Sequence, residues 1–463
     1  MDFRSLLQLL YASLIGVSAQ TTLPLSLQLP VELSVNQLAL YGDSVFKMSD
    51  PNNPLNGKLI GDILRGIQLP IVSTGLSNTL GSIIPHRQLE LTSNYVIPTL
   101  EYALNVTFSR SFADITQRGK CELTYKPWSA PYWPSALDSF NHKWNGADSD
   151  SLITKYAKAY GLDPLAFADA ISMRLGIDKW ALSPYVEYCD HKETCSTSSI
   201  TDTVCVKRKD KVDQEKVCAI TWEGSCQSWT LAAMLHPEPL CAVEMNGVTF
   251  EILDIKGLLT YMYNEAPVYA SIGGKPAQTN TVELDLYGRP LALELRDLTA
   301  ADYLLAMVNF ICFLDRPFAI DRIPTLEMWN QPMNRFEIVN KLQVDPKGTA
   351  KLAFGTENFP YDEDMDQLHY LETKFCWVFE STSVTVTTSI DTFENYVECR
   401  TLYLLIEVNK EGFVIGGEYY GQNQTNIDYL WTAVTSLPLN EFTPEGIPYA
   451  DILDLYARSQ QCD

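Results

Sequence analysis

The sequence predicts an α+β fold, helical through its first part and rich in antiparallel strands in its last third. Three observations predict it. Ile255, Leu258, Leu259 and Met262 fall at the i, i+3, i+4, i+7 spacing of a helix packed on a core. Lys374 to Glu380, Val384 to Ile390, Tyr396 to Val408 and Phe413 to Tyr419 alternate or run apolar between turn residues, as strands do. Helices first and strands later is the order of an α+β chain rather than of repeated βαβ units.

Residues 1–19 read as a secretory signal. Arg4 gives a weakly basic start, Leu6 to Gly16 an apolar stretch, and Val17-Ser18-Ala19 a small-x-small cleavage site. Beyond it no apolar run reaches the ~18 residues of a membrane span. The net charge of -23 argues against nucleic acid and anionic membranes as partners. All 11 cysteines lie beyond the signal, which in a secreted chain reads as a disulfide framework. The odd count leaves one free. Asn105-Val-Thr107 and Asn423-Gln-Thr425 are glycosylation sequons, at Asn105 and Asn423.

Residues 20–110 carry seven prolines and no cysteine, and read as a variable N-terminal pro-region. Its one convincing element is a helix over Val96 to Leu104, with Pro98 tolerable only in the first turn. The main domain, residues 111–463, opens with densely placed aromatics and prolines from Trp128 to Trp144. Two helices follow between Ser151 and Leu175, joined at Gly161-Leu-Asp163-Pro164, with Asp163 as N-cap and Gly176 as stop. Residues 189–218 hold four cysteines at spacings x5, x9 and x12, which suits a disulfide knot and not a zinc site. Lys207 to Lys211 is the one basic cluster, a solvated loop or a processing site.

The knot leads into Trp222-Glu-Gly-Ser-Cys226 and a run of helix formers ended by Pro237. A thiol at a helix N-terminus feels the positive end of the macrodipole, which favours the nucleophilic thiolate. The alternative is that Cys226 is one more disulfide cysteine; if it is the free one, the other ten form five bridges. Thr299-x-x-Asp302 resembles a capping box ahead of Tyr303 to Phe313, a segment that periodicity leaves open between helix and buried strand. Phe318 to Asp321 reads as a strand ending on a carboxylate, and Cys376 and Cys399 could bridge neighbouring strands.

Taken together, these pieces resemble the secreted transglutaminase elicitors of oomycetes. The resemblance rests on Tyr132-Trp-Pro134, Asp138-Ser-Phe-Asn141, Lys155-Tyr-Ala-Lys-Ala-Tyr-Gly161 and the knot feeding Trp222-x-Gly-x-Cys-x-x-Trp229. It continues through Asn246-Gly-Val-Thr-Phe250, Arg296-Asp-Leu298, Trp329-Asn-Gln-Pro332 and Ile415-Gly-Gly-Glu418. It implies a papain-like, transglutaminase-like thiol core that joins protein glutamine and lysine side chains through a thioester. It makes Cys226 the nucleophile and Asp321 the orienting carboxylate. It implies glutamine- and lysine-bearing protein partners, cell-wall proteins among them, and a plant immune receptor that reads an exposed epitope at Trp329, Asn330, Gln331 and Pro332.

The histidine departs from the family pattern. Its expected position, seven residues after Asp297, is Leu304. His236 lies ten residues along the helix from Cys226, about 15 Å away at 1.5 Å per residue. His142 is a candidate substitute base, while His86, His191 and His369 read as surface residues. Where family members often carry histidine-proline after an asparagine, Asn426 is followed by Ile427-Asp428. Two functions follow: a crosslinking acyltransferase impaired at its base, or an inactive relative kept as a surface and interaction protein. No cofactor or metal is expected. Tyr361-Asp-Glu-Asp-Met-Asp366 offers clustered oxygens to calcium between Asp362 and Asp366, but no glycine turn or distal bidentate Glu completes the loop, so a solvated acidic segment is expected.

Overall fold

The computed structural model describes residues 96–462, apart from 192–194, 196–201, 212, 267–269, 275–282, 284, 286–290, 292–297, 421–426, 436 and 438. The expected signal, most of the expected N-terminal region, His86, Asp297 and Asn423 lie outside the described residues. Among the described residues no helix is long and apolar enough to cross a membrane.

Among the described residues twelve strands run in chain order: β1 (Lys120–Glu122), β2 (Thr203–Val206), β3 (Val217–Ile220), β4 (Val243–Met245), β5 (Val248–Phe250), β6 (Ala270–Gly273), β7 (Ala319–Asp321), β8 (Asn330–Val344), β9 (Met365–Val378), β10 (Val397–Asn409), β11 (Val414–Tyr419) and β12 (Leu430–Ala433). Eight form one sheet in the order β11-β10-β9-β8-β7-β12-β6, with β1 also paired to β8. Strands β2 and β3, and β4 and β5, form two small hairpins. Mixed helix and antiparallel sheet is the expected α+β class.

Alternation along the short central strands divides the core in two. Ala319, Tyr429 and Trp431 join a cluster with Trp229, Leu258 and Tyr261 from the helices Cys226–Leu235 and Ile252–Glu265. Phe318, Ile320 and Leu430 join a second cluster with Leu304, Phe310, Phe336 and Phe375. Each such buried side chain contributes roughly 1.5–3 kcal/mol, so both faces are stabilised by burial.

Local signals explain most boundaries. The Asp163 carboxylate accepts from the N–H groups of Leu165 and Ala166, opening the helix Pro164–Leu175. Thr299 and Asp302 form a reciprocal capping box, and Tyr303 to Phe313 is helical, widening to a π-type turn over Val308–Phe313. Pro332 is tolerated in β8 because its missing N–H would point away from β7. The neighbouring Met333 N–H donates to the Phe318 carbonyl, and pairing with β9 starts only at Met333.

Several expectations are corrected. The helix Val96–Leu104 packs Val96, Ile97 and Leu100 into the second cluster, so the boundary placed at residue 110 falls inside the packed unit. Asn309 holds this segment by accepting from Ser109 N–H at 2.7 Å and donating to Ser109 O at 2.9 Å. Val384 to Ile390 is not a strand. Thr387 and Thr388 aim their N–H and hydroxyl groups at the buried Glu238 carboxylate, all at 2.7–2.8 Å. Glu238 also pairs with Lys256, both fully buried. The basic cluster is not simply solvated either. Arg208 is 2% exposed and reaches Asp138, Asp169, Asp178 and Asp210, fastening the knot to the helices.

Five disulfides form: Cys121–Cys312, Cys189–Cys205, Cys195–Cys218, Cys241–Cys462 and Cys376–Cys399. The knot's four cysteines pair among themselves, and Cys376–Cys399 joins adjacent strands. Cys226 is the free cysteine, and it is buried.

Candidate active site

The helix Cys226–Leu235 starts where the chain bends under the Tyr132-Trp133 segment. Ser225 N–H donates to Tyr132 O at 2.6 Å. A Cβ on Gly224 would meet that same oxygen at 2.4 Å, so only glycine lets the two segments approach this closely. Trp229 is fully buried, and Thr230 Oγ1 donates to Asn330 O at 2.8 Å. The helix is thereby fixed against β8, with Cys226 in its first turn beside the start of that strand.

Four residues set the thiol's surroundings. Cys226 Sγ faces the Met328 carbonyl oxygen at 3.6 Å. The Asn330 carboxamide donates from Nδ2 to Sγ at 3.6 Å, and the Asn330 backbone N–H does the same. The charges of Glu380 and Asp321 also reach it. Burial dominates and pushes the thiol up to about 11, with the two carboxylates adding to the rise and the Asn330 donors opposing it. The helix N-terminus therefore does not leave a low-pKa thiol, as its position alone suggests.

Asp321 ends β7 opposite Asn330. Its Oδ1 accepts from Trp329 N–H at 3.1 Å and from Ile323 N–H at 3.4 Å. One carboxylate oxygen thus pins both ends of the loop at 322–329, whose Met328 carbonyl covers the sulfur. Oδ2 is buried with no hydrogen-bond partner. Burial, reinforced by the nearby Asp428 charge, holds the Asp321 carboxyl well above the usual range. Over the loop, Trp329 meets Tyr132 edge-on at 5.3 Å, with the Arg322 guanidinium 5.3 Å from its centroid.

Leu304 does not join this group. It is fully buried in the second cluster, whereas Tyr429 and Trp431, which touch Asn330, belong to the first. The expectation that Leu304 faces the thiol is overturned, because its helix packs against the face of the sheet opposite to Cys226. No hydrogen bond or ring contact joins His142, the candidate substitute base, to Cys226. His142 stacks edge-on against Trp144 at 4.5 Å, burial lowers its pKa, and the Lys209 charge lowers it further. His236 bonds the Tyr263 hydroxyl at 2.7 Å, and burial lowers it to about 4. His369 is not a surface residue: it lies on β9, 8% exposed and stacked over Phe112. None of these three rings bonds to or stacks on Cys226 or Asp321.

The segment Trp329, Asn330, Gln331 and Pro332 is extended, as expected, but it is not an exposed epitope. Asn330, Gln331, Pro332, Met333 and Asn334 are all buried in the sheet, and only Trp329 reaches the surface in part. Sequence reasoning missed Asn330 as a neighbour of the thiol. The signal was available: a carboxylate-ended strand and a Pro-containing strand separated by an eight-residue loop, 322–329, make a hairpin that faces Asp321 with Asn330. Asn105 is exposed, on a left-handed turn with φ 53°. Among the described residues the one group of three metal-ligand atoms within mutual reach is Cys189, Cys195 and Cys218, all in disulfides. The oxygens of Asp362 to Asp366 form no such group.

Comparisons with known proteins agree with this architecture. A model of the transglutaminase elicitor family matches residues 97–462. The structure is similar to the crystal structure of the GP42 transglutaminase from Phytophthora sojae, with a TM-score of 0.70 and 29% identity, covering 80% of this chain and 99% of that one. A search of curated protein sequences finds no match. A match over so much of the chain, meeting a free thiol at a helix start beside Asp321, leaves one conclusion: the chain belongs to the transglutaminase elicitor family.

Proposed function

We propose that this protein keeps the scaffold and the thiol of its family without a working proton relay, and acts outside the cell as a surface or interaction protein. The observation that carries the reading is the company of Cys226: a carbonyl, an asparagine and carboxylates, with no imidazole bonded to it among the described residues. Thioester formation needs a group that takes the thiol proton and returns it to the leaving ammonia. Burial raises the thiol and Asp321 pins a loop, so among the described residues no group placed to carry that proton touches the sulfur. Losing a general base lowers turnover by about 10²–10⁴. Five disulfides suit an oxidising compartment such as the cell exterior or wall.

A second reading is slow crosslinking of glutamine- and lysine-bearing proteins through Cys226. The Asn330 donors aimed at the sulfur favour it, since a thiol with no chemical task needs no donors. The test is incorporation of monodansylcadaverine into dimethylcasein by the folded protein and by Cys226→Ala. Equal incorporation by the two supports the non-catalytic reading. Incorporation that Cys226→Ala abolishes establishes the second.

A further inference from the structure

We propose that Asn330 is a built thiolate donor: its carboxamide is locked by Tyr429 and Trp431 so that its N–H groups hold the Cys226 sulfur. The inference rests on the second reading above, in which Cys226 is the reactive group of the site, and adds a residue to it. Asn330 Oδ1 accepts from the Trp431 indole at 2.7 Å and from the Tyr429 hydroxyl at 3.2 Å. An indole N–H can only donate, so the atom facing it must be the carboxamide oxygen. The amide nitrogen is then forced toward Cys226 Sγ, at 3.6 Å. The amide orientation thus follows from chemistry and not from a choice between two similar atoms.

All four residues are buried. Trp431 and Tyr429 flank Leu430 at the start of β12, which pairs with β7, and Asn330 opens β8 on the other side of β7. The two clamping groups therefore cross over the strand that carries Asp321 to reach Asn330. A donor placed on sulfur stabilises the charged form and does little for the neutral thiol. It therefore matters only when the sulfur ionises. The charged and titratable groups around the sulfur from every other element all act the opposite way or are neutral: Asp321 and Glu380 oppose ionisation, Asp428 adds to the charge at Asp321, and Tyr132 and Tyr429 stay protonated. Asn330 is the counterweight.

The test is the pH profile of Cys226 alkylation by iodoacetamide in the folded, disulfide-intact protein, followed by mass spectrometry from pH 7 to 9.5. Cys226 is the free cysteine, so the readout is unambiguous. Asn330→Ala should slow labelling about tenfold at every pH, the equivalent of one pKa unit for one lost charge-assisted hydrogen bond. Asn330→Asp, which puts an acceptor where the donor was, should slow it further. Trp431→Phe leaves Asn330 in place but frees its carboxamide to turn, and should slow labelling by a smaller factor. Thermal unfolding of each variant separates lost packing from lost donation, because packing loss opens the site and speeds labelling. Equal labelling of wild type and Asn330→Ala, whether fast or undetectable, overturns the proposal, as does faster labelling in Asn330→Ala. Since the readout is thiol reactivity and not crosslinking, the outcome stands whether or not the protein turns over an amine.

Discussion

The two faces of the central sheet are built from the same strands and differ in kind. One face carries Asp321, Asn330, Tyr429 and Trp431 around a free thiol. The other packs the apolar side chains of Leu304, Ile320, Leu430 and Phe336. Neighbouring residues in β7, Ile320 and Asp321, fall on opposite sides, so one step along the chain separates apolar core from candidate chemistry. Reactivity here is a property of a face, set by strand alternation, and counting along the sequence does not reveal it.

The largest expected effect tests that division directly. Leu304→His puts an imidazole into the apolar face and should destabilise the protein by about 3 kcal/mol or more, read as a fall in the denaturation midpoint. It should give no amine incorporation. Gain of incorporation by this variant would place Leu304 beside Cys226 and break the two-face picture.

The next effect concerns pH. His236 has its pKa lowered by burial from 6.5 to about 4, and the aromatic groups near it are Tyr263 and Tyr456, neutral throughout this range. The unfolded chain then binds the proton first. Stability contributed by the neutral ring is complete above about pH 6.5 and is lost as pH falls toward about 4. The loss amounts to at most about 3 kcal/mol. Urea unfolding between pH 4 and 7 should show a shallower slope in His236→Phe than in wild type, and identical slopes would contradict it.

A smaller effect should follow at the loop. Asp321→Ala frees both N–H groups that pin residues 322–329, at a cost of about 1–3 kcal/mol, and removes a like charge from the thiol. Labelling of Cys226 should rise several-fold, and amide exchange at Ile323 and Trp329 should quicken. Unchanged exchange would mean that Asp321 does not hold the loop. The smallest effect belongs to Thr107→Ala, which removes the sequon at an exposed turn while leaving the left-handed Asn105 in place. Stability should stay within about 0.5 kcal/mol, while the mass of secreted protein should drop by one glycan.

Much of this architecture was legible because its causes are local. The caps at Asp163 and at Thr299 with Asp302, the glycine stops and the alternating strands all act over a few residues. Cysteine parity pointed to one free thiol, and the helix start after Gly224-Ser225 made Cys226 the candidate. What stayed hidden depends on partners far along the chain. Val384 to Ile390 has the pattern of a strand, but Glu238, 149 residues away from Thr387, takes its donors. Arg208 reads as solvated until Asp138, Asp169 and Asp178 surround it. Asn330 reads as part of a surface segment until the hairpin sets it against Asp321 and two aromatic donors fix its amide.

The Cys376–Cys399 bridge has a consequence in the language of chain entropy. It closes a ring with a sequence separation of 23 residues, and inside that ring lie Glu380, whose charge reaches the thiol, and the Thr387-Thr388 pair that grips Glu238. By loop-closure reasoning the bond removes about 3 kcal/mol of freedom from the unfolded chain. The ring is thus pinned twice, covalently at its neck and by a buried carboxylate at its far side. Glu380 has an anchor of its own as well, since Gln331 Nε2 on β8 donates to its carboxylate at 2.5 Å. The charge beside the sulfur is therefore held from three directions: the covalent neck, the buried carboxylate and β8.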